Sequence, residues 1–414
     1  MESILFLVHR IPFPPNKGDK IRSYHLLRHL AARYRVHLGT FIDNPADAAH
    51  VRTLDQWCAS RCVVTLHPHS ARLRSVAALL NGEPLTLRYY RSAQLLRWVE
   101  TTIAENNIRK AVVFSAAMAQ YVEARSEMRV VLDLVDVDSA KWTQYADRHA
   151  WPFSSIYRRE GEKLLAVERK AAMQTVATVV VTRGEADLFA RFAPECRSRV
   201  HVIENGVDTG YFAPHDDRPT PYAANEAPIV FTGAMDYWPN IDAVEWFARE
   251  VLSRVARERR DARFYIVGMN PAKAVRALAV DARVSVTGNV ADVRPYLQHA
   301  AAVVAPLRVA RGIQNKVLEA MAMGKAVVVS SAAASGVTAV RGVDLETAGD
   351  AEEFCRKVLM VMGSEAGRAM GQRARARIVA DYCWARNLSV FDKLLEPALC
   401  AAGIDTALET TAGR

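Results

Sequence analysis

Short runs of apolar residues alternate with helix-forming segments along the whole chain of 414 residues. The runs, such as Ile4–Val8 and Ala302–Ala305, are rich in Val, Ala, Ile and Leu. Strands of this continuous apolar kind are typical of parallel sheets that helices cover on both faces. Consecutive parallel strands joined by helices form right-handed βαβ units. The alternation therefore predicts an α/β fold built from doubly wound parallel sheets.

Chain length and one proline-rich segment predict two domains. A chain of 414 residues exceeds the usual size of a single domain. The segment 213–228 is polar, contains four prolines and has no periodicity, so we interpret it as an interdomain linker. Ligands of doubly wound sheets bind at the carboxyl ends of the strands. We therefore expect two domains with a ligand cleft between them.

The net charge of +9 arises in the first half of the chain. Residues 1–200 contain 29 Lys and Arg against 20 Asp and Glu, whereas residues 201–414 contain 25 of each. This surplus predicts an anionic partner, such as a phosphate-bearing substrate or an anionic membrane surface; the alternative is a solvated arginine-rich face. Nucleic acid is not expected as a partner, because no aromatic and basic reading motif accompanies the charge.

A candidate membrane-facing patch lies between residues 72 and 98, where arginines are interleaved with apolar and aromatic residues. Its members are Arg72, Arg74, Arg88, Arg91 and Arg97, with Leu79, Leu80, Tyr89, Tyr90 and Trp98 among them. We expect such a patch to hold the protein peripherally at the inner face of the plasma membrane.

Several motifs are missing from the sequence. The N-terminus lacks the basic start of a signal peptide, and no apolar run approaches the ~18 residues of a spanning helix, so we expect a cytoplasmic protein. The six cysteines form no CxxC pair. The chain also has no GxGxxG dinucleotide fingerprint, no P-loop, and no GxSxG or HExxH motif.

The segment 311–329, RGIQNKVLEAMAMGKAVVV, is the sharpest local signal. It predicts a helix that opens at Gly312 and stops at Gly324, before the next strand. The N–H groups of Gly312 and Ile313 then lie at the positive end of the helix dipole. This arrangement predicts an anion site.

Charged side chains add to the predicted anion site. Arg311 precedes the helix and Lys316 lies one turn inside it, so both can contact a diphosphate. Glu319 lies three residues after Lys316, where its carboxylate can accept hydrogen bonds from ribose hydroxyls. The alternative is an amphipathic helix with a Lys–Glu pair on its surface.

Five segments carry a family resemblance, and one of them lies within 311–329. They are NGVD at Asn205–Asp208, FTGAMDYWPN at Phe231–Asn240, VTGNVADVRPY at Val286–Tyr296, EAMAMGKAVV at Glu319–Val328 and YCW at Tyr382–Trp384. This ordered set resembles glycosyltransferase family 4, the retaining, metal-independent enzymes of GT-B architecture. The segments Arg10–Arg22, Asp133–Trp142 and Arg311–Met323 resemble its branch of sugar transferases associated with PEP-CTERM/exosortase exopolysaccharide loci.

The resemblance implies GT-B architecture, with two doubly wound Rossmann-like domains that face each other across a cleft. The N-terminal, acceptor-binding domain covers 1–208, a linker covers 209–228, and the nucleotide-sugar-binding domain covers 229–383. A C-terminal helix over 384–398 then packs back on the first domain, and 399–414 form a frayed tail.

The resemblance also implies a reaction and a donor site. A sugar moves from a nucleotide diphosphate sugar to a hydroxyl of a saccharide or lipid-linked saccharide, in exopolysaccharide or other cell-surface glycan synthesis, without metal or cofactor. The implied donor-binding residues are Gly233, Gly288, Asn289, Gly312, Ile313 and Glu319. Glu319 would hold the ribose, and the backbone at Gly233, Gly312 and Ile313 would meet the diphosphate.

On the acceptor side, the resemblance points to Gly18, Asp19 and Arg22. They lie in the loop that approaches the reaction centre, where Asp19 and Arg22 would contact acceptor or phosphate. Gly18 is equally well explained as a turn glycine.

The sequence departs from the family pattern at three places. Arg311 stands where the family has its first Glu, and Met235–Asn240 lacks the usual Arg and Lys, so we hypothesise that Arg311 and Lys316 supply the positive charge. Val135 stands where a His is expected. Asp136, in the cluster Asp133, Asp136 and Asp138, is a candidate acceptor base or clamp, although such a cluster also caps helices.

Two other functions are compatible with these residues. A sugar-nucleotide epimerase uses the same two-domain architecture and needs no acceptor. A non-catalytic nucleotide-sugar-binding protein would explain the missing His and Glu.

Overall fold

A computed structural model describes residues 1–15, 18–67, 70–71, 75, 78–123, 125, 127–147, 149–310 and 312–396. The predicted tail 399–414 lies outside these ranges, as do Arg72, Arg74 and Arg311. Within the described ranges, no helix is both long and apolar enough to cross a membrane.

Seven parallel strands form the first sheet, in the order β3-β2-β1-β4-β5-β6-β7. They are β1 (Ser3–Val8), β2 (Arg35–Ile42), β3 (Cys58–Thr65), β4 (Lys110–Phe114), β5 (Arg129–Val135), β6 (Ala177–Val180) and β7 (Val200–Val202). The longer helices around this sheet are α1 (Gly18–Ala31), α2 (Ala93–Asn106), α3 (Asp138–Ala146), α4 (Phe153–Gln174) and α5 (Arg183–Phe192). Shorter helical segments cover Pro45–Gln56, Ala78–Asn81, Leu85–Tyr89, Ala116–Tyr121 and Pro194–Arg199.

The side chains of β1 show how helices cover both faces of this sheet. Ile4 and Phe6 pack in one hydrophobic cluster with residues of α1, whereas Leu5 and Leu7 pack in another with residues of α2. Successive side chains of a strand point to opposite faces, so a strand that is apolar throughout needs a helix on each side.

Six parallel strands form the second sheet, in the order β10-β9-β8-β11-β12-β13. They are β8 (Ala227–Thr232), β9 (Ala262–Val267), β10 (Val284–Gly288), β11 (Ala302–Ala305), β12 (Val327–Ser330) and β13 (Glu346–Ala348). The longer helices that follow in this part of the chain are α6 (Trp238–Trp246), α7 (Leu252–Glu258), α8 (Asn315–Ala322), α9 (Ala351–Val361), α10 (Glu365–Asp381) and α11 (Trp384–Leu395). Shorter helical segments cover Phe247–Val251, Lys273–Ala277, Leu278–Val280, Arg294–Gln298 and Ser331–Ala334.

Both sheets are doubly wound, which confirms the predicted α/β fold. The strand order reverses between β1 and β4 in the first sheet, and between β8 and β11 in the second. Each reversal opens a crevice at the carboxyl ends of the strands, because the chain leaves the two central strands in opposite directions. These crevices fix where a ligand has room to bind.

The chain crosses between the domains twice, side by side. The N–H of Val207 donates to the carbonyl oxygen of Tyr382 over 2.9 Å, and Val207 pairs with Cys383 in an isolated bridge. After this crossing, α11 packs its Leu388 and Phe391 into the hydrophobic cluster that holds β1 and α1. The first domain is therefore completed by α11, the last helix among the described residues.

The segment 209–228, predicted as a linker, packs in part against the second domain. β8 already begins at Ala227, and Tyr222 is buried with the core of the second domain. The hydroxyl of Tyr222 donates to the carbonyl oxygen of Tyr296 over 2.7 Å. Because this aromatic side chain anchors it, the second half of the segment belongs to the second domain.

Candidate active site

The crevice of the second sheet has a floor made of glycines. Gly233 directly follows β8, and Gly268 directly follows β9. A Cβ on Gly268 would lie 1.7 Å from the carbonyl oxygen of Gly233, and one on Gly233 would lie 2.8 Å from Nδ2 of Asn240. Neither position has room for a side chain, so a ligand at these strand ends meets backbone.

The helix beside this floor begins later than predicted. α8 begins at Asn315, with the extended residue Gln314 as its N-cap, and not at Gly312. Gly312 has a φ of +61°, a left-handed conformation that does not continue into a helix, and Ile313 packs into the core. The N–H groups of Gly312 and Ile313 therefore belong to a loop, and the positive end of the helix dipole lies at Asn315.

Lys316 directs its ammonium group toward the glycine floor. Its Nζ lies 4.2 Å from the ring centroid of Phe231 and donates to Oδ1 of Asn240 over 2.5 Å. The same atom would lie 3.0 Å from a Cβ on Gly233. Burial lowers the pKa of Lys316 to about 7, against the opposing effect of Glu319. The structure thus brings together Lys316 and Gly233, two residues that were both expected to meet the diphosphate.

Glu319 lies three residues further along α8. Burial raises its pKa to about 7, and the nearby Lys316 opposes this rise. Lys316 and Glu319 are both half-buried, which argues against the alternative of a Lys–Glu pair on the protein surface. Desolvation pushes each group toward its neutral form, so the pair is suited to a ligand that brings negative charge to Lys316 and hydroxyl donors to Glu319.

Gly288 and Asn289, which the resemblance implies as donor-binding residues, lie at the same edge of the sheet, where they would meet the nucleotide base. Gly288 ends β10 with a φ of +67° and open space where a Cβ would stand, and Asn289 after it is exposed. β10 lies two strands away from β8, or ~10 Å from Gly233 at the usual strand spacing. A base contact at Gly288 and Asn289 stays a prediction.

The two domains meet beside Gly312. A Cβ on Gly312 would lie 2.3 Å from Oδ1 of Asp136, which follows β5 in the first domain. A Cβ on Gly18, at the start of α1, would lie 3.7 Å from Nδ2 of Asn315. That distance is ordinary contact, so packing does not require glycine at position 18. Asp136 and Gly18 thus both face the donor side of the cleft.

The three clustered carboxylates have three different surroundings. Asp133 is fully buried in the first domain, and Asp138, in the first turn of α3, accepts a hydrogen bond from Nζ of Lys141 over 3.1 Å. Asp138 and Asp136 together hold the pKa of Lys141 above its usual range despite burial. Asp136 is the carboxylate that reaches the second domain, and its role toward an acceptor stays a prediction.

The prediction that Arg22 contacts acceptor or phosphate is wrong. Its side chain has 0% exposure, and its Nε donates to Oδ2 of the equally buried Asp133 over 2.8 Å. Its Nη1 donates over 2.9 Å to both the carbonyl oxygen of Ile203 and Oδ1 of Asn205. Because α1 begins at Gly18, Arg22 lies in the second turn and faces the sheet instead of the cleft.

The crevice of the first sheet contains two residues that sequence reasoning missed. His9 and Arg10 directly follow β1, and Nε2 of His9 lies 3.5 Å from Oδ2 of Asp19. Arg10 pairs with Asp19 and with Asp43. Burial opposes ionisation of Asp19, but His9 and Arg10 outweigh it and hold the pKa of its carboxyl well below the usual range. Their position after a central strand was the signal that could have found them.

The predicted membrane patch is only in part a free basic surface where the structure describes it. Arg88 and Arg91 both pair with Glu83, at 3.4 Å and 3.0 Å. Tyr90 and Trp98 pack against the hydrophobic core of the first domain. The single carboxylate of Glu83 offsets one of the two positive charges that pair with it, whereas Arg97 is exposed. Among the described residues, no group of three or more His, Cys, Asp or Glu side chains could hold a metal ion.

Comparison with known proteins gives one match in sequence, within the second half of the chain, and several matches in fold. Residues 226–364 match the family described as glycosyl transferases group 1, and no curated protein sequence matches the chain. The structure is similar to sucrose-phosphate synthase from Thermosynechococcus elongatus, with a TM-score of 0.72 and 16% identity over 95% of this chain and 98% of that one. It is also similar to HepE of Anabaena in complex with UDP (TM-score 0.69, 15% identity, 95% and 99% covered). A third similar structure is WaaG, a glycosyltransferase involved in lipopolysaccharide biosynthesis (TM-score 0.61, 14% identity, 94% and 99% covered).

The family match includes the floor residue Gly233 and both charged residues of α8, Lys316 and Glu319. The structural similarities extend over nearly the whole of each chain, so they include both sheets and the cleft between them. The protein therefore has the GT-B fold of two Rossmann-like domains, and residues 226–364 of its second part are similar to the family described as glycosyl transferases group 1.

Proposed function

We propose that the protein is a glycosyltransferase that moves a sugar from a nucleotide diphosphate sugar to a hydroxyl of a saccharide acceptor. The observation that carries the proposal is the position of the Lys316 ammonium group. It lies at the glycine floor of the crevice where the second sheet reverses its strand order, with Glu319 one turn away. The similar fold of HepE, solved in complex with UDP, supports a nucleoside diphosphate as the ligand of this crevice.

The proposed reaction relies on positioning and on charge. A diphosphate bound at Gly233 replaces Asn240 as the partner of the Lys316 ammonium group. The ammonium group then neutralises the negative charge that develops on the leaving group. Glu319 accepts hydrogen bonds from the ribose and so fixes the nucleoside. Asp136 faces this site from the first domain and orients the acceptor hydroxyl. Closure of the cleft keeps water from the donor.

Three finer assignments complete the proposal and rest on the family resemblance. Transfer proceeds with retention of configuration and without a metal ion or other cofactor. The product is an exopolysaccharide or another cell-surface glycan. The protein acts in the cytoplasm, and the basic surplus of residues 1–200 supports peripheral contact with an anionic inner membrane face or a lipid-linked saccharide.

Calorimetric titration with UDP, GDP and ADP tests the donor site. We expect one of the three to bind, and we expect Glu319→Ala to weaken that binding by ~10- to ~150-fold, since a charge-assisted hydrogen bond contributes ~1.5–3 kcal/mol. The same variant should lose much less affinity for the 2′,3′-dideoxy nucleotide, which has no ribose hydroxyl to donate. Glu365→Ala, on the surface helix α10, is the control and leaves binding unchanged.

Failure of all three nucleotides to bind the wild-type protein would contradict the proposed function. Incubation with the sugar nucleotide alone addresses the epimerase alternative. An epimerase would convert the donor without an acceptor, whereas a transferase leaves its sugar unchanged apart from slow hydrolysis.

Affinity for the nucleoside diphosphate should fall as the pH rises above 7. Lys316 has a pKa of about 7 in the free protein, and the diphosphate binds its charged form and raises that pKa. Binding then takes up a proton at higher pH, which weakens it by up to tenfold per pH unit. Titrations at pH 7, 8 and 9 measure the slope. The arginine of Lys316→Arg stays charged over this range, so this variant should show no dependence of affinity on pH. An equal slope in both proteins would assign the dependence to another group.

A further inference from the structure

A group of aromatic side chains lies outside the hydrophobic cores. We call it the aromatic wall, and its members are Trp142, Tyr145, His149, Phe153, Tyr157 and Trp238. None of the six belongs to the three hydrophobic clusters that the described residues form. None is buried either: His149 and Phe153 are exposed, and the other four are half-buried. Large aromatic residues that no core requires, and that water reaches, indicate a binding surface.

The wall is continuous from the outer surface to the cleft. Phe153 lies 6.3 Å from Tyr157, whose ring centroid lies 5.4 Å from that of Trp142. Trp142 in turn lies 5.9 Å from Tyr145. Tyr145 then contacts Trp238 of the second domain, with ring centroids 6.0 Å apart. The rings thus bridge the two domains on one side.

The inner end of the wall adjoins the proposed reaction centre. Trp238 follows Tyr237, which interacts electrostatically with Lys141 and Asp136. Asp136 is the residue packed against Gly312 on the donor side. A molecule that lies along the rings would therefore present one end at the point where the two domains meet.

We propose that the aromatic wall is the acceptor subsite, and that it binds a saccharide of several hexopyranose units; the inference rests on the proposed function. The C–H faces of pyranose rings pack on aromatic faces, while indole, phenol and imidazole groups exchange hydrogen bonds with sugar hydroxyls. Five of the six members carry such a polar group, and Phe153 is the exception.

The test is calorimetric titration with six hexasaccharides, built from α- or β-linked glucose, mannose or N-acetylglucosamine. We expect at least one to bind the wild-type protein, and we expect Tyr157→Ala and Trp142→Ala each to weaken it at least tenfold. Trp151 is not a member of the wall, but it is 81% exposed and lies two residues before Phe153 in the sequence; Trp151→Ala should therefore leave stability unchanged and weaken the same saccharide at least twofold. Phe192→Ala is the matched control, an exposed aromatic residue of the same domain outside the wall, and should change nothing.

Three results would overturn the inference. The first is that none of the six saccharides binds, and the second is equal binding by the wall variants and the Phe192→Ala control. The third concerns vesicles of phosphatidylcholine and phosphatidylglycerol: the tryptophan fluorescence of the wild type shifts to the blue, Trp151→Ala abolishes the shift, and no saccharide binds. The wall would then be a membrane surface. Nucleotide titration of the same proteins separates the two proposals: absence of nucleotide binding in the wild type refutes the proposed function, whereas intact nucleotide binding without saccharide binding refutes only the wall.

Discussion

Lys316→Met should lower the affinity for the nucleoside diphosphate by ~30- to ~1,000-fold. The ammonium group lies at the glycine floor, half-buried, and its partner Asn240 is neutral, so no other charge in that contact replaces it. Loss of one partner from a desolvated charge pair costs about 2–4 kcal/mol of binding free energy, which corresponds to that range. Calorimetric titration of both proteins with the nucleotide that binds the wild type measures the change.

Lys325→Met is the matched control for this substitution. Lys325 is also a half-buried lysine whose pKa is lowered, to about 8, by burial, but it follows the C-terminal end of α8 and donates to the carbonyl oxygen of Gln298. We expect it to leave nucleotide binding intact. The parent nucleoside, without phosphates, should bind wild type and Lys316→Met equally. A tenfold loss for the nucleoside would show that Lys316 shapes the pocket and does not bind phosphate.

Arg22→Leu should lower the free energy of unfolding by about 3–5 kcal/mol. The substitution leaves Asp133 charged, fully buried and without its ion-pair partner, which is the costly way to break a buried pair. Burial already raises the pKa of Asp133, and without Arg22 that pKa rises further. The variant is therefore less impaired at pH 4 than at pH 8, because protonation of the carboxyl at lower pH removes the unpaired buried charge. Urea denaturation followed by circular dichroism at both pH values measures it.

Two further variants separate charge from packing at this position. Arg22→Leu with Asp133→Leu removes both charges and should recover most of the lost stability, since a buried pair replaced by apolar side chains is often neutral. Arg183→Leu removes an exposed ion pair with Asp187 and should change stability little. If the double variant were as unstable as Arg22→Leu, packing and the bonds to Ile203 and Asn205 would be the main contribution of Arg22.

The fold was predictable because its strands are continuous apolar runs. The run Ala302–Ala305 is a strand with those bounds, and the apolar run Phe264–Val267 lies within β9. β13, at Glu346–Ala348, escaped prediction because it has three residues and begins with a glutamate, whose charge Lys357 neutralises. Hydrophobic periodicity carries no signal for a strand whose polar residue is paired through the tertiary structure.

The candidate site was predictable where local sequence determines it. Lys316 and Glu319 share a helix, so their spacing of three residues is enough to place them on neighbouring positions of one face. Arg22 was misassigned because its partner Asp133 lies 111 residues away, and nothing local shows that a basic residue near a glycine loop turns inward. The aromatic wall was missed for the same reason, since Tyr145 and Trp238 come together only when the two domains meet.

The place of α11 has a consequence for how the chain is made. Four side chains of α11 pack in the same hydrophobic cluster as β1, although more than 350 residues separate the helix from that strand along the chain; they are Trp384, Leu388, Phe391 and Leu395. During synthesis the first domain must wait, with that apolar face of its sheet uncovered, until the whole second domain has left the ribosome. The second domain, continuous in sequence, has no such delay. The half of the protein that is translated first is thus the half that finishes folding last.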